Sequence, residues 1–143
     1  MSIRQISVFV ENKQGSLVKI TDVLAKENID LRAMSIADTQ DFGILRLIVS
    51  DTDRAVDILK RENSIVTVTE VVGARLRNEP GALATAVRVL SDAGINMEYM
   101  YAFNGATPHH AYVVLRVDDN AKVEELLLAS GIKSITEAQV SEI

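Results

Sequence analysis

Ile6, Val8 and Val10 occupy every second position near the start of the chain, the pattern of a strand with one buried face. The period then changes. Leu17, Ile20 and Leu24 are spaced for one apolar stripe and predict a helix over 16–27. Residues 29–37 and 43–49 read as two further strands joined by a short polar stretch at 38–41. Asp51-Thr52-Asp53 supplies N-cap chemistry for a second helix that turns Val56 and Leu59 inward, and the β-branched run 65–72 reads as a fourth strand. The same series then repeats. A helix carries Leu83, Val87 and Leu90, strands follow at 95–103 and 111–117, a helix carries Val123, Leu126 and Leu127, and 134–140 closes the second series as a strand. The order β-α-β-β-α-β, met twice, predicts an α+β chain of two ferredoxin-like units, each an antiparallel sheet with helices on one face.

The repetition is also visible residue by residue. A shift of 66 residues lays Asn12-Lys13-Gln14-Gly15-Ser16-Leu17 on Asn78-Glu79-Pro80-Gly81-Ala82-Leu83. It also pairs Val23 with Val89, Leu24 with Leu90, Ile29 with Ile95 and Met34 with Met100. Asn28 falls on Gly94, and both residue types tolerate the positive φ needed where a helix ends before a strand. After the longer segment 104–110 the register slips by two, and Val49-Ser50-Asp51 meets Val117-Asp118-Asp119. Loops, caps and apolar positions recur in one order, so the chain is a duplication, with domains expected at 1–71 and 72–143. No flexible linker is expected between them, since Val71-Val72-Gly73-Ala74 leads straight from one copy into the next. The short connection implies that the copies pack together, and units of this size are marginal alone.

Composition narrows the chemistry. Hydrophobic residues make up 48% of the chain and aromatics 4%, so the core is built from Val, Ile, Leu and Ala. The net charge of −5 argues against direct nucleic-acid binding, which needs Lys and Arg to displace phosphate counterions. With 0 cysteines, disulfides, thiolate catalysis and cysteine-based metal sites are excluded. The N-terminal residues lack a signal-peptide pattern, and no stretch approaches the ~20 apolar residues of a membrane span, so a cytoplasmic protein with no membrane partner is the expectation.

The candidate chemistry lies in the loop before each copy's first helix. Gly15 and Gly81 permit a sharp turn and a close backbone approach to a ligand. The N–H groups at Ser16-Leu17 and Ala82-Leu83 open a helix and suit a carboxylate. Asn12 and Asn78 can both donate and accept, which matches the paired carboxylate and ammonium of an amino acid. Read singly, each loop needs nothing beyond Gly for geometry and Asn for turn chemistry. Asp30 and Asn96 add a second shared position just after the helix, although a polar residue there also follows from strand alternation.

These residues resemble a known family. Asn78-Glu79-Pro80-Gly81-Ala82-Leu83, then Leu90, then Gly94-Ile95-Asn96-Met97 is similar to an ACT domain, and the resemblance covers each copy in full. It implies a regulatory, non-catalytic module that holds a free amino acid where two ACT units meet and passes the signal to an enzyme or a transcription factor. By the resemblance, one site uses 12–17 with Asn96 and the other 78–83 with Asp30. Gln14 stands where the family has the proline seen at Pro80, and Asp30 stands for asparagine, so the two sites are expected to have diverged. The other reading is a structural module that mediates oligomerisation, with a homodimer as the simplest assembly.

The remaining chemistry-bearing residues have ordinary explanations. Tyr99, Tyr101 and Phe103 share one strand face, an arrangement RNA-recognition modules use, but the chain is acidic and lacks their basic motif. A packing face is the better reading. His109 and His110 are neighbours on an expected hairpin, so their side chains diverge and do not chelate one metal. Asp51, Asp53, Asp118 and Asp119 fall at helix starts, where capping accounts for them. No nucleophile with its base, phosphate loop, cofactor motif or metal-ligand set is present, and no enzyme is expected.

Overall fold

Alternation sets the first strand. In β1 (Ile3–Glu11), Ile6, Val8 and Val10 are buried, while Ser7, Phe9 and Glu11 lie on the other side. The computed structural model describes residues 2–38 and 40–143; Thr39, in the polar connection expected over 38–41, lies outside the described residues. The elements that follow are α1 (Ser16–Lys26), β2 (Leu31–Asp38), β3 (Phe42–Val49), α2 (Thr52–Arg61) and β4 (Val66–Arg77). The second series is α3 (Ala82–Asp92), β5 (Met97–Ala102), β6 (His110–Val117), α4 (Asn120–Ala129) and β7 (Lys133–Ile135), ending in a 3-10 helix (Glu137–Glu142).

The chain divides into two compact units. One is Arg4–Thr69; the other is Glu70–Ile143 with the N-terminal residues up to Ile3. In the first, antiparallel strands run β2-β3-β1, with Ile6 opposite Leu47 and Met34 opposite Leu47, and the Phe9 N–H donates to the carbonyl of Ile65, the residue before β4 (3.0 Å). In the second the order is β5-β6-β4-β7, with Ala74 opposite both Val113 and Ser134. Each sheet buries one face under its two helices. The first core joins Ile6, Val8 and Leu45 to Ile20, Leu24, Ile58 and Leu59; the second joins Val72, Leu76 and Leu115 to Ala86, Leu90, Val123 and Leu127.

The duplication extends to backbone detail. Gly15 and Gly81 share φ 88° and ψ −12°. Asn28 (φ 57°) matches Gly94 (φ 72°), as expected where each first helix ends, and the same device recurs after the second helices at Asn63 (φ 61°) and Gly131 (φ 79°). The Ile29 N–H donates to the Leu24 carbonyl and the Ile95 N–H to the Leu90 carbonyl, both at 2.9 Å. Even the irregularities coincide, since β2 shifts register between Leu31 and Ala33 and β5 between Met97 and Tyr99.

Asp51 and Asp119 cap α2 and α4 through bonds from the Arg54 and Lys122 N–H groups, each 3.1 Å. Asp51→Ala and Asp119→Ala should each cost about 0.5–2 kcal/mol, the range for losing an N-cap acceptor. Urea unfolding of the two variants checks this, and a cost below the error of the measurement for both would contradict it.

Three expectations are corrected. In α1 and α3 the buried line is Ile20–Leu24 and Ala86–Leu90, whereas Leu17, Leu83 and Val87 remain 39%, 40% and 37% exposed. An i, i+4 pair centres the face, and the other three positions lie on its flank. In α2, Ala55, Ile58 and Leu59 carry the burial and Val56 packs at the margin. The strand expected at 134–140 stops at Ile135. There Thr136 accepts from the Gln139 N–H (3.4 Å) while the Gln139 side chain accepts from the Thr136 N–H (2.9 Å), a capping box that starts a helix.

Candidate functional site

Each helix that follows a first strand begins differently from each helix that follows a third. α2 and α4 are closed by an aspartate, but α1 and α3 have glycine at the N-cap, no side-chain cap and no acidic residue in the first turn. The turn itself is held by backbone: Ser16 N–H to the Lys13 carbonyl and Ala82 N–H to the Glu79 carbonyl, both 3.3 Å. Lys19 and Thr85 close the first helical turn onto the Gly15 and Gly81 carbonyls at 3.2 and 2.9 Å. The N–H groups of Leu17 and Leu83 thus lie at uncapped, positively polarised helix ends.

The asparagines anchor these loops. The Asn12 and Asn78 N–H groups donate to the Asp41 and His109 carbonyls, both at 3.0 Å, tying each loop to the hairpin before the third strand. The Asn78 side-chain amide also donates to the Thr107 carbonyl (3.1 Å), which orients its carbonyl oxygen. Both residues are exposed.

Clefts flank the first loop. A larger one of about 590 Å³ is lined by Gln14, Gly15 and Ser16 together with Phe9, Phe42, Asn63 and Ser64. A smaller one of about 120 Å³ brings Asn12, Ser16 and Leu17 beside Ile36 and Gly43. Lys13 pairs with Glu11 at the rim, and its hydrogen bond and charge hold the Glu11 carboxyl below the usual range. Phe9 and Phe42 meet at 6.1 Å between ring centroids while remaining 53% and 49% exposed. Sequence reading missed Phe9, Phe42, Asn63 and Ser64 as neighbours of this loop. The available signals were a large aromatic at the outward position of β1 and an asparagine that needs positive φ.

Asp30 and Asn96 are not beside their own loops. Each sits past the far end of an 11-residue helix, about 16 Å away at ~1.5 Å per residue. Asp30 is exposed and its carboxylate bonds Arg32 at 2.7 Å, while its N–H donates to the Ser50 hydroxyl at 3.0 Å. Asn96 is exposed just before β5. In the second unit Pro80 and Gly81 are exposed, and Leu83 lies along the outer side of α3 with Val87.

The other candidates behave as packing and turn residues. Tyr99 and Tyr101 stack at 6.4 Å with 17° between ring planes, and Tyr101 and Phe103 are buried. Thr107 closes the hairpin around Pro108, its N–H donating to the His110 carbonyl and its hydroxyl accepting from the His110 N–H, both 2.9 Å. Among the described residues no three His, Asp or Glu side chains group to hold a metal, and no helix is long and apolar enough to cross a membrane.

Comparison with known proteins places this arrangement. A crystal structure of a Bacteroides thetaiotaomicron protein superposes with a TM-score of 0.92 at 43% identity, covering 100% of this chain and 98% of that one. The ligand-free regulatory subunit of aspartate kinase from Thermus thermophilus shares the fold, with a TM-score of 0.66 at 11% identity over 88% of this chain and 90% of its own. By sequence, the chain is 23% identical to the acetolactate synthase small subunit of Mycobacterium avium over 132 residues, which is 85% of this chain and 78% of that protein. A family profile describing an ACT domain pair matches residues 1–143. Together with the doubled glycine-capped loop, that match over the whole length settles the family: the chain is an ACT domain pair.

Proposed function

We propose that this ACT domain pair, with units at 1–71 and 72–143, binds a free amino acid and regulates a separate enzyme or transcription factor. The observation that carries the reading is the contrast between helix starts. Two are closed by aspartate, and the two at Gly15 and Gly81 are left open with identical backbone geometry. An open helix start accepts a carboxylate without displacing an internal cap. Asn12 or Asn78 adds the polar amide, and Gln14 or Pro80 with Ser16, Leu17, Ala82 and Leu83 shapes the wall. Asp30 and Asn96, remote from their own loops, act on a loop other than their own, where the Asp30 carboxylate meets the ligand ammonium. The names of the relatives, a synthase small subunit and a kinase regulatory subunit, support regulation in trans by a non-catalytic protein. Ligand binding shifts the population between arrangements that a partner distinguishes.

Calorimetric titration with the twenty amino acids tests this. One or a few should bind, and Asn78→Ala should weaken that binding about 10-fold or more, the effect of losing a hydrogen bond to a charged group. Silence from the whole panel at millimolar concentration would sink the proposal, and an unchanged affinity in Asn78→Ala and Asp30→Asn would displace the site. An assembly that ignores every amino acid in sedimentation would instead favour the oligomerisation reading, for which the exposed Leu83 and Val87 on α3 are the motivating surface.

A further inference from the structure

The two copies carry clefts at the same place, between the first strand, the start of the first helix and the turn that follows the second helix. Their walls have opposite character. In the first unit Phe9, Phe42 and Ile65 line the cleft. In the second, the corresponding residues are Arg75, His110 and Lys133, and Glu11 is replaced by Arg77. The strand register brings these groups together. Arg75 lies directly opposite Lys133 on β7 and Tyr112 on β6, and Arg77 lies opposite His110. Directly opposed residues on antiparallel strands share a face with Cβ atoms about 4.5–5.5 Å apart, and like charges so placed repel.

Among the described residues only Arg77 of this group has a carboxylate partner. Arg75 is half-buried and Lys133 exposed, and neither has a carboxylate partner. The one carboxylate lining the cleft is Glu79, which reaches only Arg77, at 3.8 Å, and loosely. This concentration of positive charge stands in a chain whose net charge is −5. A guanidinium beside an ammonium, neither paired with a carboxylate, is suited to a phosphate, whose oxygens match the planar fork of arginine.

We infer that the cleft around Arg75, Arg77, His110 and Lys133 is an anion site that takes the phosphate group of a small molecule. Its volume of about 400 Å³ holds more than phosphate alone, so the group arrives either as a phosphate monoester or as free phosphate. The equivalent cleft of the first unit has no guanidinium, and its two lysines, Lys13 and Lys19, are matched by Glu11 and Glu62, so it serves as an internal control. The cleft of the second unit shares Ala82 with the second glycine loop, but anion binding there rests on the cations rather than on the open helix start, and its probe is a different chemical.

The test is a proton–nitrogen NMR titration of the full chain with inorganic phosphate and, separately, with glycerol phosphate, against sodium chloride at matched ionic strength. Saturable shifts should appear at the Arg75 and Arg77 side-chain N–H groups and along 130–133, with none around Phe9 and Ile65. Tighter binding of the ester identifies a monoester as the ligand, and equal binding identifies free phosphate. Arg75→Gln should lower the affinity at least 10-fold. Lys133→Gln, at an exposed position that folding tolerates, should lower it several-fold. Shifts that chloride reproduces, that spread evenly over all basic residues, or that survive both substitutions overturn the inference.

Discussion

Leu59→Ala and Leu127→Ala should each lower the stability of the chain by about 2–5 kcal/mol, the range for deleting a buried leucine side chain. The two residues are counterparts in the duplicated sequence, both are 0% exposed, and each closes its own unit's core from the second helix. Leu59 packs with Ile6, Leu24 and Ile58, and Leu127 with Val72, Leu90 and Val123. Both belong to clusters of closely packed hydrophobic side chains, so the cavity contribution adds to the transfer contribution. Urea melts followed by circular dichroism provide the check. A cost under about 1 kcal/mol at either site would mean that its core collapses around the deletion. The duplication makes the comparison sharper than a single core mutant would be. Because Leu128, adjacent to Leu127, is 62% exposed, Leu128→Ala serves as a surface control that should change stability little.

The parts of the fold legible in the sequence were those fixed by local chemistry. Alternation at Ile6, Val8 and Val10, aspartates ahead of the second helices, and a residue tolerant of positive φ at 28 and 94 each have one physical reading, and the structure has them where expected. The helix faces were harder to read. Leu17, Leu83 and Val87 are apolar and correctly spaced, but they lie on the flank of the face that meets the sheet, and Ala86, at its centre, is the less conspicuous residue. The C-terminus was misread because the apolar residues of 134–140 outweighed a capping pair, Thr136 and Gln139, whose reciprocal bonds stop the strand. In the candidate site, the glycine loops were identifiable because positive φ demands a particular residue. The lining residues Phe9, Phe42, Asn63 and Ser64 come from three separate segments, and only folding brings them beside Gln14–Ser16. The greater positive charge of the second cleft is written in the alignment of the repeats but has no meaning until the register sets Arg75 opposite Lys133.

Gly73, which the sequence places at the junction between copies, is the second position where a large effect is expected. It lies mid-strand in β4, opposite Val114 and Ile135, with an ordinary strand backbone, so its role is spatial. A Cβ built there meets Ile3 Cδ1 and, at 2.5 Å, Ile135 Cγ1. Ile3 is 0% and Ile135 5% exposed, leaving neither side chain room to withdraw. Gly73→Ala should therefore destabilise by about 1–3 kcal/mol through overpacking, and Gly73→Val by more. The strain should fall first on β7, which is 3 residues long and held to β4 by three register pairs. Hydrogen exchange of the β7 amides should accelerate in Gly73→Ala more than exchange in β6. Ile135→Ala removes one of the obstructing side chains, so Gly73→Ala combined with Ile135→Ala should cost less than the two singles added together, by about 0.5–3 kcal/mol. Simple additivity, or exchange that rises equally across the sheet, would show that Gly73 is present for some reason other than the close approach of Ile3 and Ile135.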